Sequence, residues 1–157
     1  MNKARPYIIS ILISLGTGIL SALLTRQNIN IYEEINTPSI SPPSIVFPIV
    51  WAILYILMGV SATLVYNSKE TLPDERTKAL STYGISLVVN FLWSIIFFNM
   101  RSYLFAFIWL ILLLILVIKT IIEYKFINKT AAYLQIPYLL WIIFAGYLSF
   151  SIYLLNR

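Results

Sequence analysis

Five apolar runs separated by short polar stretches set the plan of this chain. They cover about residues 6–26, 44–66, 79–99, 102–123 and 130–156, and no Asp, Glu, Lys or Arg falls in the central part of any of them. A helix of about 20 residues, rising 1.5 Å per residue, crosses a hydrocarbon core of about 30 Å. The pattern predicts an all-α integral membrane protein, a bundle of five transmembrane helices that uses residues 1–157 as one domain. Lys3 and Arg5 ahead of the first run resemble the start of a signal peptide. That run, however, is longer than the 7–15 residues of a signal core and no A-x-A-like site ends it, so a retained helix is expected. Its small residues Ser10, Ser14, Gly18 and Ala22 recur every fourth position. That spacing lets helices touch backbone to backbone, inside a bundle or between subunits.

The aromatic residues are ordered within these runs. Phe47, Trp51, Tyr55 and Gly59 follow one another at intervals of four after the Pro42-Pro43 stop. Each step of four advances about 40° around a helix, so the stripe winds slowly along one side. In the third span Asn90, Trp93, Ser94 and Phe97 share a face. An amide in hydrocarbon needs a partner, so Asn90 bonds either a neighbouring helix or a ligand. In the fifth span Gln135, Tyr138, Trp141, Ala145 and Ser149 share a face. Pro137 frees the carbonyl of Tyr133 there and predicts a kink. The three faces are expected to converge on one apolar pocket, with Phe47, Trp51, Tyr55, Asn90, Trp93, Ser94, Phe97, Gln135, Tyr138, Trp141 and Ala145 as ligand-binding residues. Residues 27–43, carrying Glu33, Glu34, Pro38, Pro42 and Pro43, make a long loop just before the first aromatic stripe, and are expected to act as a lid. Leu148, Tyr153 and Arg157 match a short pattern proposed for sterol contact. A Tyr and an Arg ending a span also serve as interfacial anchors.

Composition narrows the chemistry. The chain is 60% hydrophobic with a mean hydropathy of +0.86, and it has neither Cys nor His. Thiol catalysis, disulfides, Ser-His hydrolysis, the usual zinc sites and the commonest haem ligands are thereby excluded, and no metal site is expected. The lack of charge within the spans argues against ion-coupled transport. Lys3, Arg5, Lys69, Arg76, Lys78, Lys119, Lys125 and Lys129 lie on the N-terminal side of the bundle, against Arg26, Arg101 and Arg157 on the other. This bias predicts a cell-membrane protein with a cytoplasmic N-terminus. The net charge of +5 is explained by anionic lipid, with no nucleic-acid partner.

Three blocks carry a resemblance: Pro42-Pro43-x3-Phe47-x3-Trp51-x2-Leu54-Tyr55-x2-Met58-Gly59, Asn90-x2-Trp93-Ser94-x2-Phe97-Phe98, and Gln135-x-Pro137-Tyr138-x2-Trp141-x2-Phe144-Ala145. Taken in order over five spans, the chain resembles the tryptophan-rich sensory protein family, the bacterial branch of the translocator protein or peripheral benzodiazepine receptor family. It departs from the family's pattern in having Tyr32 as the nearest aromatic in the first loop, Thr37 before Pro38, and Leu148-Ser149 late in the fifth helix. The resemblance implies a homodimer that binds porphyrins and synthetic benzodiazepine-site ligands under the first loop. The implied pocket positions are Trp51, Tyr55, Asn90, Trp93, Tyr138, Trp141 and Ala145. Protoporphyrin IX or haem would be ligand or substrate, with no required cofactor. It also implies a possible light-dependent breakdown of protoporphyrin, with Trp51 and Trp141 as the catalytic redox pair. Sensor, photochemical enzyme, porphyrin or sterol carrier, and structural dimer are the readings this leaves open.

Overall fold

The computed structural model describes residues 3–157. Three of the long helices begin at a proline that relieves unpaired N–H groups. Helix α1 (Arg5–Thr25) and helix α4 (Pro73–Ser94) both carry proline in the first turn, where a missing N–H leaves no bond unmade. Asp74 and Glu75 add negative charge to the start of α4, which suits the positive end of the helix dipole. These signals explain why α4 begins before the expected boundary at 79. Its first turns are polar and stand beyond the apolar run. Between α1 and helix α3 (Val46–Tyr66) the loop holds a short helix, α2 (Ile31–Glu34).

Helix α4 runs into a π-helical turn, Ile95–Asn99. Arg101, in a left-handed conformation at φ 52°, then reverses the chain into α5 (Tyr103–Ile127). The fifth span is two pieces, α6 (Lys129–Leu134) and α7 (Ile136–Leu155). Asn128 caps α6 by accepting from the Ala131 N–H at 3.1 Å. The break at Gln135, two residues before Pro137, is the expected kink. There the proline occupies the first turn of α7 and so leaves fewer carbonyls without donors. Among the described residues five helices are long and apolar enough to cross a membrane.

The helices close into a ring in which α1 adjoins α3, α3 adjoins α6, α7 adjoins α5, α5 adjoins α4, and α4 returns to α1. The α1–α3 contact is the tightest. A Cβ at Gly59 would lie 2.6 Å from the Ile11 Cα, and one at Gly18 would strike the Tyr55 ring. The Ser14 hydroxyl donates to the Tyr55 carbonyl at 2.6 Å, and Thr63 donates to the Pro6 carbonyl at 3.2 Å. The small-residue seam of α1 is therefore engaged within the protomer at Ser14 and Gly18. Outward-facing Ile8, Leu12, Ile49, Ile53, Ile108, Ile115, Leu140 and Ile143 remain exposed, as suits a surface whose solvent is lipid.

Candidate functional site

A cavity of about 310 Å³ lies at the loop end of the ring, bounded by α1, α3, α4 and α7. That volume is at the lower end of the range for ligand sites. The α3 stripe supplies one wall. Trp51 stacks on Tyr55 at 5.6 Å between centroids and 27°, and meets Trp141 of α7 edge-on at 6.4 Å and 90°. Phe47, one turn nearer the loop, meets Trp141 edge-on at 5.8 Å. The opposite wall comes from the end of α4, where Trp93 lies 5.4 Å from Phe97 and 6.4 Å from Phe98. The π turn places both phenylalanines beside the one indole. Such turns are rare in helices and recur at functional sites.

The loop of residues 27–43 lies across this cavity. Tyr32 packs edge-on against Phe47 at 4.9 Å, and its hydroxyl donates to the Pro42 carbonyl at 3.1 Å. Ser44 donates to Glu33 Oε1 at 3.0 Å. Two side-chain clasps hold the loop to helix ends. Asn156, at the end of α7, accepts from the Asn36 N–H at 3.1 Å and donates to the Asn36 carbonyl at 2.8 Å. Asn28 donates to Asn99 Oδ1 at 2.8 Å, and Asn99 donates to the Leu24 carbonyl at 3.1 Å. All four of these bonds lie at the exposed surface, where a net hydrogen bond contributes about 1 kcal/mol or less. Few such bonds fasten the loop to the helix ends.

Eight of the expected ligand-binding residues line the cavity: Phe47, Trp51, Tyr55, Trp93, Ser94, Phe97, Trp141 and Ala145. Asn90, Gln135 and Tyr138 stand behind it. Asn90, 1% exposed, donates to the Tyr55 hydroxyl at 3.1 Å, so of its two open partners the structure selects the neighbouring helix. It supports the wall by fixing the phenol that stacks on Trp51. Gln135 donates to the Ser61 hydroxyl at 3.2 Å, and that hydroxyl donates to the Ala131 carbonyl at 2.7 Å. This relay pins the α6–α7 break to α3 at the far side of the bundle from the lid. Tyr138 is buried and meets Trp51 edge-on at 6.2 Å.

Other lining residues carry no strong sequence signal. Gly18, Ser21, Ala22 and Thr25 bring α1 to the cavity; their four-residue spacing indicates a close-approach face but not what approaches. Phe98 reaches the cavity because of the π turn. Leu148 and Ser149 extend the α7 wall. Leu148, Tyr153 and Arg157 do not share a surface, because Leu148 lines the cavity while Tyr153 packs beside the outward-facing Phe150 at 6.4 Å. Among the described lining residues there is no Asp, Glu, Lys or Arg. The site can surround and orient an apolar body, and has no side chain for general acid–base work.

A membrane ring of five helices with an aromatic cavity beneath its first loop can be set against known proteins. The TspO/MBR family matches residues 10–155. The chain belongs to that family. Among TspO/MBR relatives, the tryptophan-rich protein TspO of Archaeoglobus fulgidus is 38% identical over 148 residues, 94% of each chain. Protein CrtK of Rhodobacter capsulatus is 32% identical over 126 residues, covering 80% of this chain and 78% of that one. The translocator protein of Homo sapiens is 29% identical over 140 residues, 89% and 83%. Membership of the TspO/MBR family and the five apolar helices make this a multi-pass membrane protein of the sensor and translocator type.

Proposed function

We propose that the cavity receives a tetrapyrrole, protoporphyrin IX or haem, and that the chain acts as a membrane sensor whose lid reports occupancy. The observation that carries this reading is the meeting of Phe47, Trp51, Trp93 and Trp141 around one uncharged cavity beneath the clasped loop. Flat aromatic walls favour flat aromatic ligands through area burial and offset or edge contacts. A macrocycle needs more room than the closed cavity offers, so binding lifts the lid. Protoporphyrin added to detergent-solubilised protein should quench Trp emission saturably. Trp51→Ala and Trp141→Ala should each weaken that binding; wild-type affinity in both would refute the site.

A second reading is favoured by the Trp51–Trp141 contact. A photoexcited porphyrin is a strong oxidant and an adjacent indole is the ring it oxidises most readily, so illumination would move an electron from Trp51 or Trp141 to the ligand. With no acid or base on the lining, the protein contributes placement and the indole electron. Trp51→Phe or Trp141→Phe should keep binding and slow light-driven pigment loss; loss equal to that of free porphyrin in detergent would remove this reading.

From the charge bias we infer a cytoplasmic N-terminus and a lid outside the cell membrane. An impermeant maleimide should label Ser39→Cys on intact cells and Thr71→Cys only after lysis. A homodimer is proposed as well. Gly18 and Ser14 are already used within the protomer, whereas Gly16 of α1, Gly84 of α4 and Gly146 of α7 have nothing within 4 Å of where a Cβ would stand and are open small-residue positions.

A further inference from the structure

A second cavity, of about 650 Å³, lies between α1, α3 and α4 at the end of the bundle away from the lid. The aromatic site makes no use of it. Its residues are sorted by depth. Arg5, at the start of α1, and Tyr66, at the end of α3, stand at the mouth, and Ile9, Ile13, Ala62 and Leu87 make the walls within. The Thr63 hydroxyl beside them is spent on the Gly59 and Pro6 carbonyls at 3.0 and 3.2 Å. From Arg5 to Ile13 the cavity follows α1 for about 12 Å, eight rises of 1.5 Å. Ile9, Ile13 and Tyr66 are all exposed, so the cavity is a groove open sideways to the bilayer. Gly84 forms part of its α4 wall, and nothing lies within 4 Å of where a Cβ would stand there.

The mouth is positive. Arg5 is exposed, and among the described residues it forms no ion pair. Arg76 donates from Nη1 to the Tyr66 carbonyl at 2.9 Å while its Nε has no partner, so a second guanidinium stands at the same rim. Lys3, Lys69 and Lys78 lie on this side too, against Glu70, Asp74 and Glu75. A guanidinium presents paired N–H donors that match phosphate oxygens. A Tyr at the end of a span marks the headgroup level. A cationic rim at that level, above an apolar groove, suits an anionic head that carries a hydrocarbon chain. A second copy of this chain suits it less. Two copies paired across this groove, about an axis along the membrane normal, would bring two Arg5 groups to one depth. Like charges there repel.

We propose that this groove holds an anionic phospholipid of the surrounding leaflet, its phosphate on the Arg5 guanidinium and one acyl chain along Ile9, Ile13 and Leu87, past Gly84. The site is separate from the aromatic cavity and does not depend on what that cavity binds. A chain in the groove touches three helices at once, and so makes more close contacts than a lipid lying on a convex helix face. A zwitterionic lipid has the same chain and phosphate, but its own ammonium offsets the phosphate charge. The preference between the two headgroups therefore isolates the contribution of the rim.

The test is native mass spectrometry of the full chain, delipidated in non-ionic detergent. It gives the Kd of the first bound lipid for phosphatidylglycerol and phosphatidylcholine with identical chains. A basic residue near an anionic headgroup is worth about 5-fold. Wild type should therefore prefer phosphatidylglycerol by at least about that factor, and Arg5→Gln should lower the preference about 5-fold with phosphatidylcholine binding unchanged. Gly84→Leu fills the groove from an open position and should weaken both lipids about 10-fold, the equivalent of about two buried methylene groups. Gly146→Leu, equally open but on α7, should weaken neither. A preference unchanged in Arg5→Gln, or equal effects of Gly84→Leu and Gly146→Leu, would overturn the proposal. Displacement of the lipid by free glycerol phosphate would overturn it too, by making the mouth a site for soluble anions. Arg5→Gln alters only an exposed side chain, so the headgroup test stands whether or not Gly84→Leu folds. Protoporphyrin quenching in the same samples should match wild type, and its failure would bear on the aromatic cavity alone.

Discussion

Gly59→Ala is expected to destabilise the bundle although alanine is the better helix former. In open helix positions that replacement is favourable by about 0.5–1 kcal/mol. At Gly59 the added Cβ would lie 2.6 Å from the Ile11 Cα and 2.8 Å from the Ile11 N, where ordinary contact begins at 3.4 Å. The obstacle is backbone, which cannot swing aside as a side chain does, so α1 must retreat from α3 by about 0.8 Å. The Ser14–Tyr55 bond, 2.6 Å at rest, would stretch towards the limit of hydrogen bonding, and the Thr63–Pro6 bond, already 3.2 Å, would pass it. Overpacking costs about 1–3 kcal/mol, and a weakened bond adds up to about 1 kcal/mol more. Set against the helix gain, the net loss is about 1–2 kcal/mol. Gly16 and Gly146 have nothing within 4 Å, so Gly16→Ala and Gly146→Ala should be neutral or stabilising. Unfolding in mixed micelles of rising SDS fraction, followed by near-UV circular dichroism, resolves the difference in sign. Equal midpoints for Gly59→Ala and Gly16→Ala would refute the close approach of α1 and α3.

Other expectations follow from the same contacts. Asn90→Ala should lower stability by about 1–3 kcal/mol by leaving the Tyr55 hydroxyl unpaired; a double-mutant cycle with Tyr55→Phe should return a coupling of about 0.5–1.5 kcal/mol, and zero coupling would deny the bond. Asn156→Ala removes both clasp bonds to Asn36 and should raise the association and dissociation rates of protoporphyrin together, with little change in Kd, when measured by stopped-flow quenching. Gln135→Leu should destabilise the bundle through the stranded Ser61 hydroxyl yet leave ligand affinity near wild type, because Gln135 lies off the lining. A large selective loss of binding would place it at the site.

The five spans were legible because lipid requires long uncharged runs, and the aromatic walls because a four-residue repeat keeps rings on one side of a helix. Spacing alone put Phe47 and Trp51 on one face of the second span and Trp141 on a face of the fifth; that the two faces meet is seen only in the structure. Which polar residue faces a ligand and which faces a neighbour could not be read that way. Asn90 and Ser149 both lie on the predicted faces, but Asn90 is paired with Tyr55 and Ser149 is unpaired. That difference depends on what a second helix brings within 3 Å. The same holds for Trp109, which donates its indole N–H to the Val89 carbonyl at 2.7 Å, and Trp93, whose Nε1 has no partner. The π turn at Ile95–Asn99 left no mark in hydrophobic periodicity, because five apolar residues in succession fit either turn. The role of α1 was hidden for a related reason, since small residues announce close packing without naming the partner.

The two ends of the ring are built differently, and the difference shapes the aromatic cavity. Away from the lid, α1 is drawn onto α3 at Gly59, and Gln135, Ser61 and Ala131 lock the α6–α7 break to the same helix. Those contacts are short, and both use groups that must be satisfied inside lipid. Towards the lid, α3 and α7 present Phe47, Trp51 and Trp141, whose edge-on contacts hold the helices apart by the width of the rings. A second cavity, lined by Arg5, Pro6, Ile13, Ala62, Tyr66 and Tyr83, lies at the end away from the lid between α1, α3 and α4, while large rings wedge the bundle open at the lid end. The loop then has to cover that space, and the bonds that fasten it are exposed ones that open at low cost. Ligand size is therefore set by how far the lid lifts. Shortening the rings by Phe47→Leu should let α3 and α7 approach at the lid end, so that large macrocycles lose affinity more than three-ring probes such as anthracene do. Equal loss for both would show that the helices, and not the rings, hold the cavity open.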